Sequence, residues 1–453
     1  MAERASQPVR IVLHTDVTFT TAPPEYSGDQ PLTIDGDCGS DDDDDDSSDD
    51  DDDDDTHGYD AAAHAASDDD DDRCTITGVA NQRVIWSSSA SSLTLKDLAI
   101  SGGFRAISVR AVVAAAYALT LRNVLVSDTG NDGVDARIAG DGDVVLDFRD
   151  VHVENAGSNG IQILIRTTSG TVDGTFERVV VRDAGADGLL VADIARGDST
   201  YVVDRSLFEN CRADGLDIAF FTPGKRRNAM VDVRQSSAIG NRFGGVEVGD
   251  GRSGSTVVTL VLDDVVATNN GGNGIGDETI SMLVARDVTA SNNGRSGIGY
   301  FAATDGIEAQ LIGVTAVGNG EFGIVLSDTR AGSVVASFTD VYASGSGDTN
   351  VHIFESGVGD VDVTFVNVTA NDSTGSSGVF VDESGPSGAI TAAFAAPRGV
   401  SASGNAADGV TLLDASGDAV TATGVGNVRG SGNVGHLLTV QTGTDVVFRV
   451  PNQ

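Results

Sequence analysis

The sequence predicts an all-β protein, built as a single right-handed parallel β-helix of about 12–13 stacked coils. Three observations predict this solenoid: a unit that repeats along the chain, short apolar segments within each unit, and a composition suited to strands and turns. The chain has 453 residues, with 57 glycines, only 8 prolines and 5% aromatic residues. Abundant Gly, Val, Asp, Asn and Thr favour short strands joined by tight turns rather than long helices.

The repeated unit reads x-V-x-[AV]-x-x-N-x-x-x-G-[IVL]-x-apolar. Residues 150–165, DVHVENAGSNGIQILI, and residues 178–193, RVVVRDAGADGLLVAD, are two of its copies. Successive copies place their glycine 23–30 residues apart between Gly133 and Gly323. The repeated position is occupied by Gly133, Gly160, Gly188, Gly215, Gly245, Gly274, Gly297, Gly323, Asn350, Gly378 and Gly409. A period of this length is typical of solenoids.

Each unit contains three short apolar segments that predict three strands per coil. In one unit they are residues 144–148, 151–153 and 161–165, and alternation sends Ile161 and Ile163 inward and Gln162 outward. Such short strands need the equivalent strands of neighbouring coils to pair with. Helical repeats would require a 3.6-residue period, and leucine-rich repeats would require an L-x-x-L-x-L frame. Neither pattern is present.

Asparagines before the glycine turn are the second marker of the repeat: Asn155, Asn210, Asn241, Asn270, Asn293, Asn319 and Asn405. Asparagine tolerates a left-handed backbone and can form hydrogen bonds along a stack of turns. In these features the chain, over about residues 75–440, resembles the pectate-lyase-like superfamily of right-handed β-helices, whose coils carry an asparagine ladder. The resemblance implies a fold and no single activity, because the superfamily includes lyases, hydrolases, epimerases, adhesins and phage tailspikes.

The expected organisation has three parts. Residues 1–37 supply opening strands, residues 38–74 form an Asp-rich low-complexity insertion that should be disordered, and residues 75–453 form the β-helix. Cys38 and Cys74 flank the insertion. A disulfide between them would add roughly 4 kcal/mol of stability, and two unpaired thiols are the alternative.

The net charge of −40 argues against nucleic acid and anionic membranes as partners. The most apolar stretch, residues 111–121, is too short to span a bilayer. The first ten residues, MAERASQPVR, have no apolar core typical of a secretory signal. Either the protein is cytosolic or the export signal lies outside this sequence. The fold favours the second alternative, an extracellular or cell-surface protein.

The candidate site lies where each coil turns at its glycine. Two positions per coil should face outward there: the residue before the glycine and the residue after the next apolar one. They give Asp187, then Asp214 and Asp217, then Glu247 in three consecutive coils. Coils about 4.8 Å apart would place these carboxylates within the range used for acid/base chemistry on glycosidic bonds. Alternatively, they are solvent-facing turn residues and nothing more.

Two segments, NDGVD at residues 131–135 and ADGLDI at residues 213–218, resemble the N-T-D-G-I-D strand of polygalacturonase-type hydrolases. The other motifs of that family, an Asp-Asp pair, G-H-G and R-I-K, are missing here. Lys225 to Arg227 form a basic cluster, which is expected to be an ordinary solvated turn; the alternative is a loop that projects over the acidic strand. Aromatic platforms for sugars are expected from the clustered aromatic residues Phe220, Phe221, Tyr300 and Phe301.

The sequence therefore predicts an extracellular or surface β-helix that serves as a scaffold or binding protein for a carbohydrate-related ligand. The alternative is a polysaccharide-active enzyme, a hydrolase or lyase, with catalytic residues Asp187, Asp214, Asp217, Glu247 and Lys225. No cofactor motif is present, and Ca²⁺ is the one ion expected, held loosely by the Asp runs. The expected partner is a polysaccharide or cell-surface glycan. The sequence does not predict an oligomeric state.

Overall fold

The protein is a β-solenoid of parallel stacked coils, which confirms the predicted fold class. The computed structural model describes residues 7–38, 73–89, 91–221, 227–250, 256–277, 280–302, 306–330, 332–443 and 445–452. The solenoid makes about 14 turns, slightly more than predicted. Most of the Asp-rich insertion lies outside the described residues, as does Lys225.

Each turn contributes strands to two sheets that run the length of the solenoid. Sheet 1 receives two short strands per turn, which merge into one long strand in several early coils. Its strands are Val9–Leu13, Val17–Thr18, Leu32–Gly36, Cys74–Gly78, Leu93–Gly102, Tyr117–Ser127, Val144–Glu154, Val172–Arg182, Ser199–Asp204, Leu207–Glu209, Arg227–Arg234, Ser237–Ile239, Thr256–Asp263, Val266–Thr268, Met282–Arg286, Thr289–Ser291, Ile307–Ile312, Thr315–Val317, Val334–Thr339, Tyr342–Ser344, Val361–Val366, Val368–Asn371, Ile390–Phe394, Val400–Ser401, Val420–Thr423 and Val428–Arg429.

Sheet 2 receives one strand per turn, beginning after the repeated glycine. Its parallel strands are Arg83–Ser87, Arg105–Val113, Val134–Gly140, Ile161–Thr167, Leu189–Asp193, Leu216–Phe220, Val246–Asp250, Ile275–Asp277, Ile298–Ala302, Ile324–Asp328, Val351–Glu355, Val379–Glu383, Val410–Asp414 and Leu438–Thr442. The last strand, Asp445–Val450, pairs antiparallel with Leu438–Thr442. Helical structure in the described part of the chain is confined to a 3₁₀ turn at Val425–Asn427.

The coils stack in register, so the inward side chains form continuous apolar rows. Ile161 pairs with Val134 on one side and Leu189 on the other, and all three are fully buried. Aromatic residues also stack between coils. Phe338 and Phe394 lie on either side of Phe365, with ring centroids 5.3 and 5.6 Å away. This continuous core offsets the conformational entropy of the many short strands and turns.

A buried asparagine ladder follows the turn between the two sheets. The Nδ2 atom of Asn241 donates to Asn270 Oδ1 over 3.0 Å, and Asn270 donates in the same way to Asn293 over 3.1 Å. Asn293 continues the row to Asn319 over 3.2 Å, and Asn405 pairs with Asn433 in later coils. Each amide also bonds backbone groups of neighbouring coils, so the ladder satisfies polar groups that the turn buries.

Two of the predicted ladder residues, Asn155 and Asn210, lie outside the ladder. They occupy the position one residue earlier, where the backbone is left-handed, with φ values of 54° and 57°. The adjacent ladder position is occupied by Ala156 in one coil and Cys211 in the other, both buried. Cys211 donates its backbone N–H to Asn241 Oδ1, so it stands at the start of the amide row. Asparagine suits both positions, which is why the sequence did not separate them.

The repeated glycine is required by crowding between coils. A Cβ atom on Gly188 would lie 2.4 Å from the carbonyl oxygen of Gly215 and 3.2 Å from a ring carbon of Phe208. Equivalent glycines face the same backbone oxygen of the next coil, as Gly160 faces Gly188 at 2.8 Å. None of these positions has a left-handed backbone. Glycine is therefore required by the close approach of the next coil, and its conformational freedom is not the reason.

One inward charge, Asp193, is neutralised inside the solenoid by Arg227. The Nη1 atom of Arg227 lies 3.2 Å from Asp193 Oδ1, and both side chains are almost completely buried. Ser199 and Tyr201 donate hydrogen bonds to Asp193 as well. Arg227 was predicted to be exposed, in a solvated turn or in a loop over the acidic strand, and this prediction is wrong. The guanidinium packs inward against the Phe220 ring, 5.2 Å from its centroid.

Four acidic residues form a second inward row over consecutive coils: Asp328, Glu355, Glu383 and Asp414. All four are fully buried. One oxygen of each carboxyl accepts a backbone N–H from a residue two or three positions further on. The second oxygen of each has no hydrogen-bond partner. Burial raises the pKa of Glu355 to about 7, and the charges of Glu383 and Asp328 add to this effect.

Two features tie the ends of the solenoid. Cys38 and Cys74 form a disulfide bond, with Cα atoms 5.1 Å apart, so the ends of the Asp-rich insertion are covalently joined. At the other end, the antiparallel strand Asp445–Val450 covers the edge of sheet 2. Within the described residues, no helix is long and apolar enough to cross a membrane.

We predict that Gly188→Val lowers the free energy of unfolding by roughly 1–3 kcal/mol, because the new side chain displaces the next coil or strains the turn. Chemical denaturation measures the change. Gly426→Val is the matched control, since a Cβ atom at Gly426 meets no heavy atom within 4 Å. Equal stability of the two variants would contradict the crowding that we assign to the repeated glycine.

We predict that the acidic inward row makes stability fall as pH rises. The carboxyl of Glu355 has an ordinary pKa of 4.5 and a folded pKa of about 7. Its ionisation therefore costs nothing below pH 4.5, and the cost grows to about 3 kcal/mol above pH 7. Glu355→Gln should stabilise the fold at pH 8 and change little at pH 4. The exposed Glu308→Gln is the control, and parallel pH profiles for all three proteins would refute the prediction.

Candidate functional site

The candidate site is the outer face of sheet 2, where two rows of side chains point outward. The pre-glycine row consists of the residue before each repeated glycine, and the mid-strand row consists of the first outward residue of each sheet 2 strand. Strand pairing places Leu190, Asp217 and Glu247 in consecutive coils of the mid-strand row. The predicted register of both rows is confirmed. Asp187, Asp214, Asp217 and Glu247 therefore lie together, while their catalytic role stays a prediction.

The pre-glycine row has a structural role of its own. Where the member is Asp or Asn, a side-chain oxygen accepts the backbone N–H of the equivalent residue in the next coil. Asn159 Oδ1 accepts from Asp187 over 3.1 Å, and Asp187 Oδ1 accepts from Asp214 over 3.1 Å. Asp214 Oδ1 in turn accepts from the N–H of Gly244. This chain of bonds explains why Asp and Asn recur here without any catalysis.

Asp217 differs from Asp187 and Asp214, because no hydrogen bond lowers its pKa. Burial raises the pKa of Asp217 to about 7, and the charges of Asp187 and Asp214 raise it further. Burial also raises the pKa values of Asp187 and Asp214, but a backbone N–H from the next coil opposes the rise in each case. At neutral pH, Asp217 is thus partly protonated. It lies beside Asp187 and Asp214, whose carboxyls accept stabilising hydrogen bonds.

Glu247 extends the acidic group into the next coil. Its carboxylate lies over Gly244 and Gly276: a Cβ atom on either glycine would come within 2.4 Å of Glu247 Oε1. The outward position two residues further along these strands is small as well, with Ala192, Ala219 and Gly249 stacked in register. Small residues therefore line this part of the face beside the acids.

This arrangement can support acid/base chemistry. Asp217 can donate a proton, and Glu247 stands beside it in the neighbouring strand, roughly 4.8 Å away along the solenoid axis. In the part of the chain that the structure describes, no three His, Cys, Asp or Glu side chains are arranged to hold a metal ion. The expected loose binding of Ca²⁺ concerns Asp runs outside that part and stays a prediction.

The acids of the earlier NDGVD segment are already neutralised. Asp135 is fully buried and ion-paired with Arg105, Arg110 and Arg137. Asp132 pairs with Arg105 over 3.0 Å. The segment that resembles a hydrolase strand is thus occupied by ion pairs, and the ADGLDI segment around Asp217 is the one whose acids remain available.

An aromatic row lies further along the same face, and sequence reasoning did not find it. His352 and Phe380 stack almost parallel, with ring centroids 5.2 Å apart and an angle of 3°. Phe322 and Phe354 contact the same imidazole at 5.2 and 6.0 Å. Burial lowers the pKa of His352 to about 4, so the ring is neutral at physiological pH. His352 and Phe380 are mid-strand residues, so reading that row beyond Val325 would have found them.

Two of the predicted aromatic platforms face inward instead. Phe220 and Tyr300 are 0% and 2% exposed and belong to the core. Phe301 is 40% exposed on the outer face of sheet 2. Period-two alternation within a strand gives the physical reason, since adjacent aromatic residues must point to opposite sides. Lys225, the predicted cationic catalytic residue, lies outside the described residues.

No protein-family model matches this sequence, and no curated protein is similar to it. The pectate-lyase-like resemblance therefore extends to the coil architecture alone, and any functional argument must come from the geometry of the face.

We predict that carbon-13 NMR titration of the aspartate carboxyls finds Asp217 titrating near pH 7. In Asp214→Asn its pKa should fall but stay above 3.8, because burial is the larger cause and the neighbouring charge the smaller one. The asparagine can still accept the N–H of Gly244, as Asn159 accepts the N–H of Asp187. Exposed Asp173 is the internal control, and a pKa near 4 for Asp217 in both proteins would overturn the assignment.

Proposed function

We propose that the protein is an extracellular or surface β-helix that binds a polysaccharide along the outer face of sheet 2. The observation that carries the proposal is the aromatic row around His352 and Phe380, on the same face as the acidic group. Flat aromatic faces bind the apolar faces of sugar rings, and carboxylates accept hydrogen bonds from sugar hydroxyls. The row therefore supports recognition of a sugar without requiring catalysis.

The dimensions of the face support a long ligand. Pairing steps from Glu247 through Gly276, Gly299 and Val325 lead to His352. Four steps correspond to roughly 19 Å between the acidic group and the aromatic row. A small molecule cannot contact both groups, whereas a glycan chain can. The straight, regular surface of a solenoid is suited to extended ligands of this kind.

The disulfide between Cys38 and Cys74 supports an extracellular location. Disulfide bonds persist in oxidising compartments and are rare in the cytosol. The net charge of −40 disfavours association between copies of the scaffold.

Binding to a panel of polysaccharides tests the proposal, measured by calorimetry with and without Ca²⁺. Phe380→Ala should weaken binding by about tenfold, because it removes one stacked ring. Tyr342→Ala is the matched control, since Tyr342 is an aromatic residue that is 45% exposed on sheet 1. Circular dichroism checks that both variants fold. Equal loss in the two variants, or binding to no polysaccharide by the wild type, would refute the proposal.

A second candidate function, glycoside cleavage, is favoured by the raised pKa of Asp217. Asp217 would protonate the leaving oxygen, and Glu247 would act as base or nucleophile.

Asp217→Asn should then abolish turnover while polysaccharide binding persists, and Asp173→Asn should leave both unchanged. Unaltered turnover in Asp217→Asn would exclude this role. Lys225 stays a predicted participant, tested in the same assay by Lys225→Gln.

A further inference from the structure

Four arginines gather on the first coils of the outer face of sheet 2. We call Arg83, Arg105, Arg110 and Arg137 the arginine cluster. Three of them surround one buried carboxylate: Arg105 Nη1 and Arg110 Nη2 lie 3.0 and 3.5 Å from Asp135 Oδ2. Arg137 Nε lies 3.0 Å from Asp135 Oδ1. Arg83 is the neighbour of Arg105 in the preceding strand.

The cluster carries more positive charge than its own acids neutralise. Among the described residues, Asp132 and Asp135 are the carboxylates that pair with it, which leaves two positive charges on the cluster. Burial lowers the pKa of Arg110, and the charge of Arg137 lowers it further, with Arg83 and Arg105 acting in the same direction. A protein with a net charge of −40 has enough acidic residues to pair with every arginine. These guanidinium groups nevertheless lie side by side and repel one another.

Two hydrogen-bond donors without partners lie in the same place. The Oγ atom of Ser108 and the Nε1 atom of Trp86 are buried and make no hydrogen bond with any residue that the structure describes. Ser108 is 0% exposed and stands in the mid-strand row between Trp86 and Asp135. The guanidinium of Arg83 covers the Trp86 ring, 4.3 Å from its centroid. Indole and guanidinium groups donate only, and the Ser108 hydroxyl can donate, so an external acceptor would satisfy these donors.

We infer that the arginine cluster binds the acid group, carboxylate or sulfate, of an acidic glycan; the inference rests on the glycan-binding function proposed above. Guanidinium groups form paired, charge-assisted hydrogen bonds with both kinds of acid group. The bound anion would offset the excess positive charge and accept from Ser108, which otherwise remains unsatisfied. The cluster thus specifies the class of polysaccharide that the face accepts.

The acidic group restricts the ligand further. Three pairing steps, from Asp135 through Gln162 and Leu190 to Asp217, separate the arginine cluster from the acids, which is roughly 14 Å. An acid group on every sugar would place like charges beside Asp187, Asp214 and Glu247. The glycan that fits both regions therefore carries acid groups separated by neutral sugars, rather than an uninterrupted run of uronates.

Trp86 allows a direct test, because it is the only tryptophan in the chain. Its indole N–H resonance and its fluorescence report binding at the arginine cluster alone. We would titrate the protein with hyaluronan oligosaccharides, which alternate acidic and neutral sugars. Oligogalacturonate, a neutral chitin oligosaccharide and inorganic sulfate serve as the comparison ligands. Hyaluronan should perturb Trp86 most strongly, and added salt should weaken its binding.

Variants separate the cluster from the rest of the face. Arg110→Gln should weaken hyaluronan binding by about tenfold or more. Arg149→Gln, which removes a similarly exposed and ion-paired arginine from sheet 1, should not. Ser108→Ala should weaken binding by a few-fold without loss of stability, since its hydroxyl has no partner to lose. Should Arg110→Gln fail to fold, Ser108→Ala still tests whether the arginine cluster binds the glycan.

The outcomes distinguish the two proposals. Neutral oligosaccharides that bind through Phe380 while acidic ones bind no better would overturn this inference and leave the proposed function standing. Perturbation of Trp86 by sulfate alone, with no oligosaccharide binding, would overturn both. If oligogalacturonate bound as tightly as hyaluronan, the inferred need for neutral sugars between the acid groups would be overturned. Tighter binding of acidic glycans, lost in Arg110→Gln and retained in Arg149→Gln, supports the inference.

Discussion

The hydrogen-bonded register between successive coils is the constraint on which the rest of this molecule depends. Parallel pairing makes each residue the neighbour of the residue at the same position one coil before and one coil after. Equivalent side chains of successive coils therefore form rows, and each row acts as one unit. A row of amides becomes a hydrogen-bonded ladder, a row of apolar residues becomes core, and a row of acids becomes a site of repulsion. A slip of one residue would turn every row to the opposite side of its sheet.

The repulsion that stacking imposes is handled differently in different parts of the solenoid. On sheet 1, Arg122 and Arg149 stack on one another, and Asp147 forms ion pairs with both. Inside, Asp193 receives a buried arginine from a later coil. In the acidic row from Asp328 to Asp414, no arginine pairs with the carboxyls among the described residues, and burial raises the pKa values of Asp328, Glu355 and Glu383. Acids left uncompensated by the fold are the ones available for protons or ligands.

Much of the architecture and part of the site could be predicted from local patterns. A turn glycine followed by alternating residues fixes which side chains face outward, and so Asp214, Asp217 and Glu247 fall where the repeat predicts. What could not be predicted depends on contacts between coils. Arg227 and its partner Asp193 are 34 residues apart, and no local pattern links them. His352 and Phe380 are brought together by stacking alone. Asn210 and Asn241 look alike in sequence, and one residue of offset separates a left-handed turn from a buried ladder.

The reversed final strand has a consequence for assembly. An open parallel sheet presents unpaired N–H and C=O groups at both ends, and one end of such a solenoid is complementary to the other. Copies joined in this way would polymerise into a fibre, because head-to-tail contacts never close. Asp445–Val450 replaces the parallel edge beside Leu438–Thr442 with an antiparallel one. The edge of Leu438–Thr442 is therefore already paired, and Arg83–Ser87 of another copy cannot pair with it directly.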